Sequence, residues 1–196
     1  MSATLDVAIE RWPVAGSFTI SRGAKTHVDV VVATLTEDGV SGRGEATPIY
    51  YHGESAESVA EQLRSGAPLG RGAARNALDC ATWDLKAKQA GAPVWQLAGL
   101  AAPQPLATAY TISVGDPERM RDDAARAAPI YPLLKLKLSG EGDIDRVAAV
   151  RAGAPAARLI VDANEAWTGR DVAVEAAALT AFGVELIEQP VRRGED

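Results

Sequence analysis

Two lysines one residue apart, Lys135 and Lys137, lie in the run Leu-Leu-Lys-Leu-Lys-Leu over residues 133–138. In an extended chain side chains alternate, so Leu134, Leu136 and Leu138 share one face and the two ammonium groups share the other. Asp162 follows Lys137 by 25 residues and Glu188 follows Asp162 by 26, each near the end of an apolar run. Carboxylates at matching heights on neighbouring strands, roughly 4.8 Å apart, can reach one hard cation such as Mg2+. Ammonium groups beside such a cation can hold an anion and carry a proton. An alternating lysine pair is more commonly a wet strand face, and a lone terminal acid is more commonly a cap. Both bland explanations weaken when two acids fall in register beside two lysines on strands covered by helices, where unpaired charge is costly.

The elements that must position these residues alternate. After Pro103 and Pro105, strands are predicted over 106–113, 133–138, 158–163 and 184–189. The helices between them start at Asp116-Pro117, with Pro suited to the first helical position, and at Thr168 with Asp171 three residues on. Such alternation builds parallel βα units. The Gly-rich phosphate turn of a doubly wound sheet is missing after the first strand, so half of an eight-stranded barrel is the better fit. Barrel active sites form at the C-terminal strand ends, where both acids fall. A complete barrel takes about 250 residues, too many for 105–196. Upstream, 4–11, 27–36 and 40–46 carry strand patterns, and Glu37-Asp38-Gly39 supplies a turn, which predicts a three-stranded antiparallel meander. Ser55 is a fair N-cap with Glu57 in the first turn, and Ala74, Ala77, Leu78, Ala81 and Leu85 recur at helical spacing.

Composition narrows the classes. The chain has 196 residues, 20 Lys and Arg against 26 Asp and Glu, and a net charge of -6. No basic stripe suits a phosphate backbone, so nucleic acid is not an expected partner. No signal-peptide pattern and no membrane-spanning stretch is apparent, which reads as cytoplasmic with no membrane partner. One cysteine excludes an intrachain disulfide, and two histidines, His27 and His52, cannot build a histidine-rich zinc site. Any metal here must be held mainly by carboxylates. His52 is expected to be a surface or packing residue, and Cys80, on a helix, a buried structural thiol.

The Lys-x-Lys strand, Val-Asp-Ala-Asn at 161–164 and Ile-Glu-Gln-Pro at 187–190, in that order and spacing, resemble the muconate-lactonizing branch of the enolase superfamily. The helix over 77–88, with Asp79, Trp83-Asp84-Leu85 and the following Gly91-Ala92-Pro93, resembles the segment joining that family's capping domain to its barrel. The resemblance implies an α+β capping domain over 1–104, followed over 105–196 by the first half of a modified TIM (β/α) barrel. It implies Asp162 and Glu188 as Mg2+ ligands, Lys137 as the acid/base on one face of the substrate, Lys135 as its electrostatic neighbour and Asn164 as support for the ligands. The chemistry implied is proton abstraction alpha to a carboxylate through an enediolate intermediate. The family's third acidic ligand and its opposite-face lysine have no counterpart before Asp196, so the chain reads as truncated and is expected not to turn over by itself.

Residues 18–23 and 47–54 resemble the substrate loops of the dipeptide epimerases in this branch, which implies Phe18, Arg22 and Tyr51 as substrate-binding residues, with Arg22 meeting a substrate carboxylate. Tyr110-Thr111-Ile112 adds Thr111 to that set. The implied reaction is epimerisation of dipeptides such as L-Ala-L-Glu. The residues quoted leave N-acylamino-acid racemase, o-succinylbenzoate synthase and muconate cycloisomerase open as alternatives within the family. A Schiff-base barrel aldolase would also use a strand lysine but would not need the acid pair, and a non-catalytic half-barrel remnant is the non-enzymatic alternative. The expected partner is a small molecule, a dipeptide or acyl amino acid, with a homo-oligomer allowed.

Overall fold

The computed structural model describes residues 3–20 and 23–195. The chain divides into two compact units: Met1–Ala15 with Thr26–Gln104, and Gly16–Lys25 with Pro105–Asp196.

β1 (Thr4–Ile20), β2 (Gly23–Glu37) and β3 (Val40–Ala46) form a sheet in that order, and all of it but the adjoining ends of β1 and β2 lies in the first unit. Thr4 Oγ1 donates to the Thr36 carbonyl and Arg11 pairs with Asp29, so moving up β1 moves down β2, the antiparallel sense. β2 and β3 are antiparallel, joined by Asp38 and Gly39 at φ 49° and 79°, the left-handed pair that matches strand twist in a two-residue hairpin. β1 and β2 run further than the sequence pattern predicts. Residues past Arg11 are mostly exposed, so apolar alternation fades while backbone pairing continues.

α1 (Ala56–Arg64) starts at Ser55, whose hydroxyl accepts from the Ser58 amide while the Ser58 hydroxyl accepts from Ser55 N. α2 (Ala73–Ala90) lies on β3, with Ala77, Ala81 and Leu85 buried against Gly42, Gly44 and Ala46. The approach is close enough that a Cβ on Gly44 would stand 2.0 Å from the Ala77 carbonyl oxygen. That contact explains a glycine at a strand position facing the core. Cys80 is exposed, contrary to expectation, because it falls outside the buried stripe of α2. A short helix, α3 (Val94–Leu97), follows.

The second unit alternates β4 (Ala109–Ile112), α4 (Pro117–Ala127), β5 (Leu133–Lys137), α5 (Asp143–Gly153), β6 (Arg158–Asp162), α6 (Val172–Thr180) and β7 (Val184–Glu188). The strands are parallel and lie in sequence order, β4-β5-β6-β7. No strand reverses the order, so there is no doubly wound switch point, and the sheet is the first half of a TIM-like barrel preceded by an α+β capping domain. Ile112, Leu134, Leu136, Leu138, Leu159 and Val161 pack against Met120, Ala124, Val147, Val150 and Leu179, so α4, α5 and α6 share the core formed by these strand residues. Two start signals differ from expectation. β4 opens at Ala109, and α6 is capped by Asp171, whose carboxylate accepts from the amides of Ala173 and Val174, while the Thr168 hydroxyl accepts from Arg192 N instead. Among the described residues no helix is long and apolar enough to cross a membrane.

Candidate active site

Strand register places the charged residues. Lys137 pairs with Asp162 across β5 and β6, and Asp162 with Glu188 across β6 and β7. Thr111 pairs with Lys135, which shares the face of Lys137 by alternation. Leu134, Leu136 and Leu138, which alternate with the lysines, are fully buried on the helix side, which fixes the register and turns both ammonium groups to the opposite face.

Glu188 reaches that face through a bulge. Leu159 pairs with Val184, yet Ile160 pairs with Leu186, leaving Glu185 as the extra residue on β7. Were the same strand to pair residue for residue from Val184, with Glu185 opposite Ile160, Asp162 would stand opposite Ile187 and Glu188 out of step with the other acid. Arg158 holds the bulged residue through hydrogen bonds of 3.0 and 2.7 Å to the Glu185 carboxylate.

The four side chains converge. Lys137 Nζ donates to Asp162 Oδ2 at 2.6 Å, and Lys135 Nζ lies 3.2 Å from the same oxygen and 2.5 Å from Glu188 Oε2. Asp162 Oδ1 accepts from the Asn164 amide at 2.9 Å, and Asn164 Nδ2 donates to Gln189 Oε1 at 3.3 Å. Asp162 is buried and Lys137 nearly so, while the Glu188 side chain is 42% exposed. Burial pushes the Asp162 carboxyl up, but the hydrogen bonds from Lys137 and Asn164 prevail and hold it below the usual range. Lys135 is pulled down by burial, yet Glu188 and Asp162 hold it above the ordinary lysine value.

The backbone beyond the acids is held in sparsely populated geometry. Asn164, Glu165 and Gln189 have φ of 46°, 69° and 46°. Pairing continues past the strands, with the amides of Ala163, Glu165 and Trp167 donating to the carbonyls of Glu188, Gln189 and Pro190. Strained residues at strand ends beside buried charge are a feature of functional sites.

Phe18, at the end of β1 rather than in a loop, sets its ring centroid 5.8 Å from Lys137 Nζ, within cation–π range. The structure thus brings together Phe18, Lys135, Lys137, Asp162 and Glu188, with Thr111 on the same sheet face and Asn164 beneath Asp162. Tyr51 belongs to the other unit, exposed in a 3₁₀ turn (Tyr50–His52) with His52 edge-on to its ring. Arg22 lies outside the described residues. Sequence patterns alone did not point to Glu185, since a bulge leaves no composition signal, or to Gln189 as the partner of Asn164.

Residues 55–99 match the mandelate racemase / muconate lactonizing enzyme N-terminal domain, and residues 119–196 match the enolase C-terminal domain-like family. The chain is 38% identical over 98% of its length to the L-Ala-D/L-Glu epimerase of Escherichia coli K12, and it spans 65% of that relative. Among solved structures it is similar to an enolase family member from Agrobacterium tumefaciens with homology to dipeptide epimerases, with sodium and L-Ala-L-Glu bound. That match has 43% identity and a TM-score of 0.89, and covers all of this chain and 64% of the other. The dipeptide epimerase of Enterococcus faecalis V583, complexed with Mg and L-Leu-L-Tyr, is 28% identical with a TM-score of 0.88, covering 97% and 61%.

Proposed function

The chain belongs to the mandelate racemase / muconate lactonizing enzyme family of the enolase superfamily, and on that premise we propose that it supplies the capping domain and first barrel half of a Mg2+-dependent dipeptide epimerase acting on substrates such as L-Ala-L-Glu. The observation that carries this reading is the convergence of Lys135, Lys137, Asp162 and Glu188 at the C-terminal ends of β5, β6 and β7. Lys135 is shared between the two acids, so both carboxylates already point at one cation, and their hard oxygens suit Mg2+. Asp162 and Glu188 would hold the ion. When bound, it would stabilise the negative charge that develops on the substrate carboxylate as the α-proton leaves.

Every other step falls to side chains of the chain. Lys137, backed by Asp162 on one side and the Phe18 ring on the other, is placed to take the α-proton or return it on one face of the substrate. Lys135, held protonated by two carboxylates, adds positive charge beside the reacting carboxylate. Thr111, Phe18, Tyr51 and Arg22 are proposed to meet the substrate, and Asn164 to steady Asp162 through its amide. A racemase of N-acylated amino acids would use the same set, and similarity to the N-acetyl-D-glutamate racemase of Pseudoalteromonas, 35% identical over 85% of the chain, favours it as the second reading. The test is exchange of the L-Ala-L-Glu α-proton for solvent deuterium, followed by NMR, by a complete barrel that includes these residues. Exchange that requires Mg2+ and stops with chelator is expected. No exchange from any dipeptide or N-acyl amino acid, with a lysine trapped by borohydride on a carbonyl substrate, would replace the proposal with an aldolase.

A further inference from the structure

Asp143 is an acid with no part in the chemistry above, yet it is 2% exposed at the first turn of α5. Its Oδ1 accepts from Ser139 N at 2.9 Å and from Arg146 Nη1 at 3.2 Å. Its Oδ2 accepts from Gly140 N and from the Trp167 indole Nε1, each at 2.9 Å. A buried carboxylate with four donors is a fully satisfied charge, and removing its partners would be costly. What distinguishes these donors is where they come from. Ser139 and Gly140 directly follow the lysine strand. Trp167, itself fully buried, closes the turn that follows Asp162 and Asn164, and its backbone amide donates to Pro190 O just beyond Glu188. Arg146 also donates Nε to Gly115 O at 3.0 Å, in the loop after β4, and Nη1 to the Glu141 carbonyl.

We propose that Asp143, Arg146 and Trp167 form a positioning node that sets the relative height of the β4, β5, β6 and β7 ends, and so the distances among Lys135, Lys137, Asp162 and Glu188. None of the hydrogen bonds described for the node goes to those four side chains. The node acts through the backbone segments that follow them, tying four loops to one buried carboxylate. Strand ends that pairing and the core beneath α4, α5 and α6 already hold are thereby further locked against the sub-ångström slips that degrade a reacting geometry. The importance of those four groups rests on the functional reading above, but the mechanical claim does not.

The test uses this chain, with Trp167→Phe, Asp143→Asn and Arg146→Lys, and reads the 1H–15N signals of the two lysine ammonium groups, which ion pairing slows enough to observe. Shifted or broadened Lys135 and Lys137 signals are expected in all three variants, while amides of the meander and α2 keep their positions. A fold that is intact by near-UV circular dichroism with both lysine signals unmoved overturns the node. Should Asp143→Asn not fold, Trp167→Phe, which keeps most of the volume and removes one donor, decides alone. The readout needs neither metal nor substrate, so a responding lysine pair in a protein whose complete barrel exchanges no α-proton would leave the node standing and remove the functional reading. In an active complete barrel, Trp167→Phe is expected to lower kcat about tenfold to a hundredfold with KM nearly unchanged. An unchanged kcat would also count against the node.

Discussion

Lys135 and Lys137 are one residue apart and differ in what holds them. Lys135 bridges Asp162 and Glu188, and their pull outweighs its burial, so its pKa is raised. A raised lysine contributes stability that is fully present below the unfolded value of about 10.4 and is lost only as pH rises through the folded value, so it stays charged throughout the neutral range. That suits an electrostatic role and not a base. Lys137 meets a single carboxylate and the face of Phe18, which leaves it the better candidate to exchange a proton. Lys137→Ala in a complete barrel is expected to slow α-proton exchange from one dipeptide epimer by about a hundredfold to ten-thousandfold and to spare the other. Asp162 would still have Lys135 at 3.2 Å, so the fold should survive the change. Deuterium incorporation measured separately from L-Ala-L-Glu and L-Ala-D-Glu checks this, and undiminished exchange from both would take Lys137 out of the mechanism. At this scale much was legible, because period-two alternation and the intervals from Lys137 to Asp162 to Glu188 already align the four groups. Asp143 was not, since nothing in a helix's first turn shows that its carboxylate is buried and accepts from a tryptophan beyond the next strand.

Between residue and molecule, the elements decide which side chains share a face. Deleting Glu185 would remove the β7 bulge yet leave Leu186, Ile187 and Glu188 opposite Ile160, Val161 and Asp162, whereas deleting Ile187 would put Glu188 opposite Val161 on the helix side. Affinity for Mn2+, followed by EPR, is expected to fall at least about tenfold in the Ile187 deletion, whereas the Glu185 deletion, which keeps the register and loses only the exposed Arg158 pair, should retain most of it. Equal affinities in the two deletions would show that the register of β7 does not set the acid's position. The capping elements offer a pH test. Asp84 on α2 accepts from Lys88 Nζ and from Arg43 N on β3, each at 2.7 Å, and these bonds, led by that from Lys88, hold its pKa down. A depressed acid contributes stability that is present above its unfolded value, near 3.9, and is lost as pH falls through the folded value. Asp84→Asn should therefore be less stable than the parent at pH 7, by under about 1 kcal/mol, with the gap closing below about pH 4. A gap in urea unfolding that persists undiminished to pH 2 would exclude this account. The existence and order of these elements followed from periodicity and caps. Their ends did not, since β1 extends by backbone pairing that leaves no apolar alternation, and Asp171 outcompetes Thr168 as a cap because Thr168 is engaged by Arg192.

Across the second unit, helices cover one face of the sheet and the charged residues of the candidate site occupy the other. Thr111, Lys135, Lys137, Asp162 and Glu188 share that second face with Ile160 and Leu186, and Leu186 is half exposed there. Two cations and two anions cancel at the strand ends, so an arriving divalent ion leaves a positive excess that a substrate carboxylate can offset. Metal and anionic substrate should then strengthen each other's binding reciprocally. The proposed epimerisation asks for more, because a proton removed from one face must be delivered to the other, and both lysines stand on one wall. A polypeptide of these 196 residues alone is expected to show no measurable α-proton exchange with L-Ala-L-Glu and Mg2+. Mixing it with a polypeptide that supplies the remaining barrel strands of the E. coli relative, of which this chain spans 65%, should restore exchange if the halves pair. Deuterium incorporation read side by side for the segment, the partner piece and the mixture makes the comparison direct. Exchange by the segment alone at the rate of a complete barrel would mean that one wall suffices, and the two-face chemistry proposed for this family member would have to be abandoned.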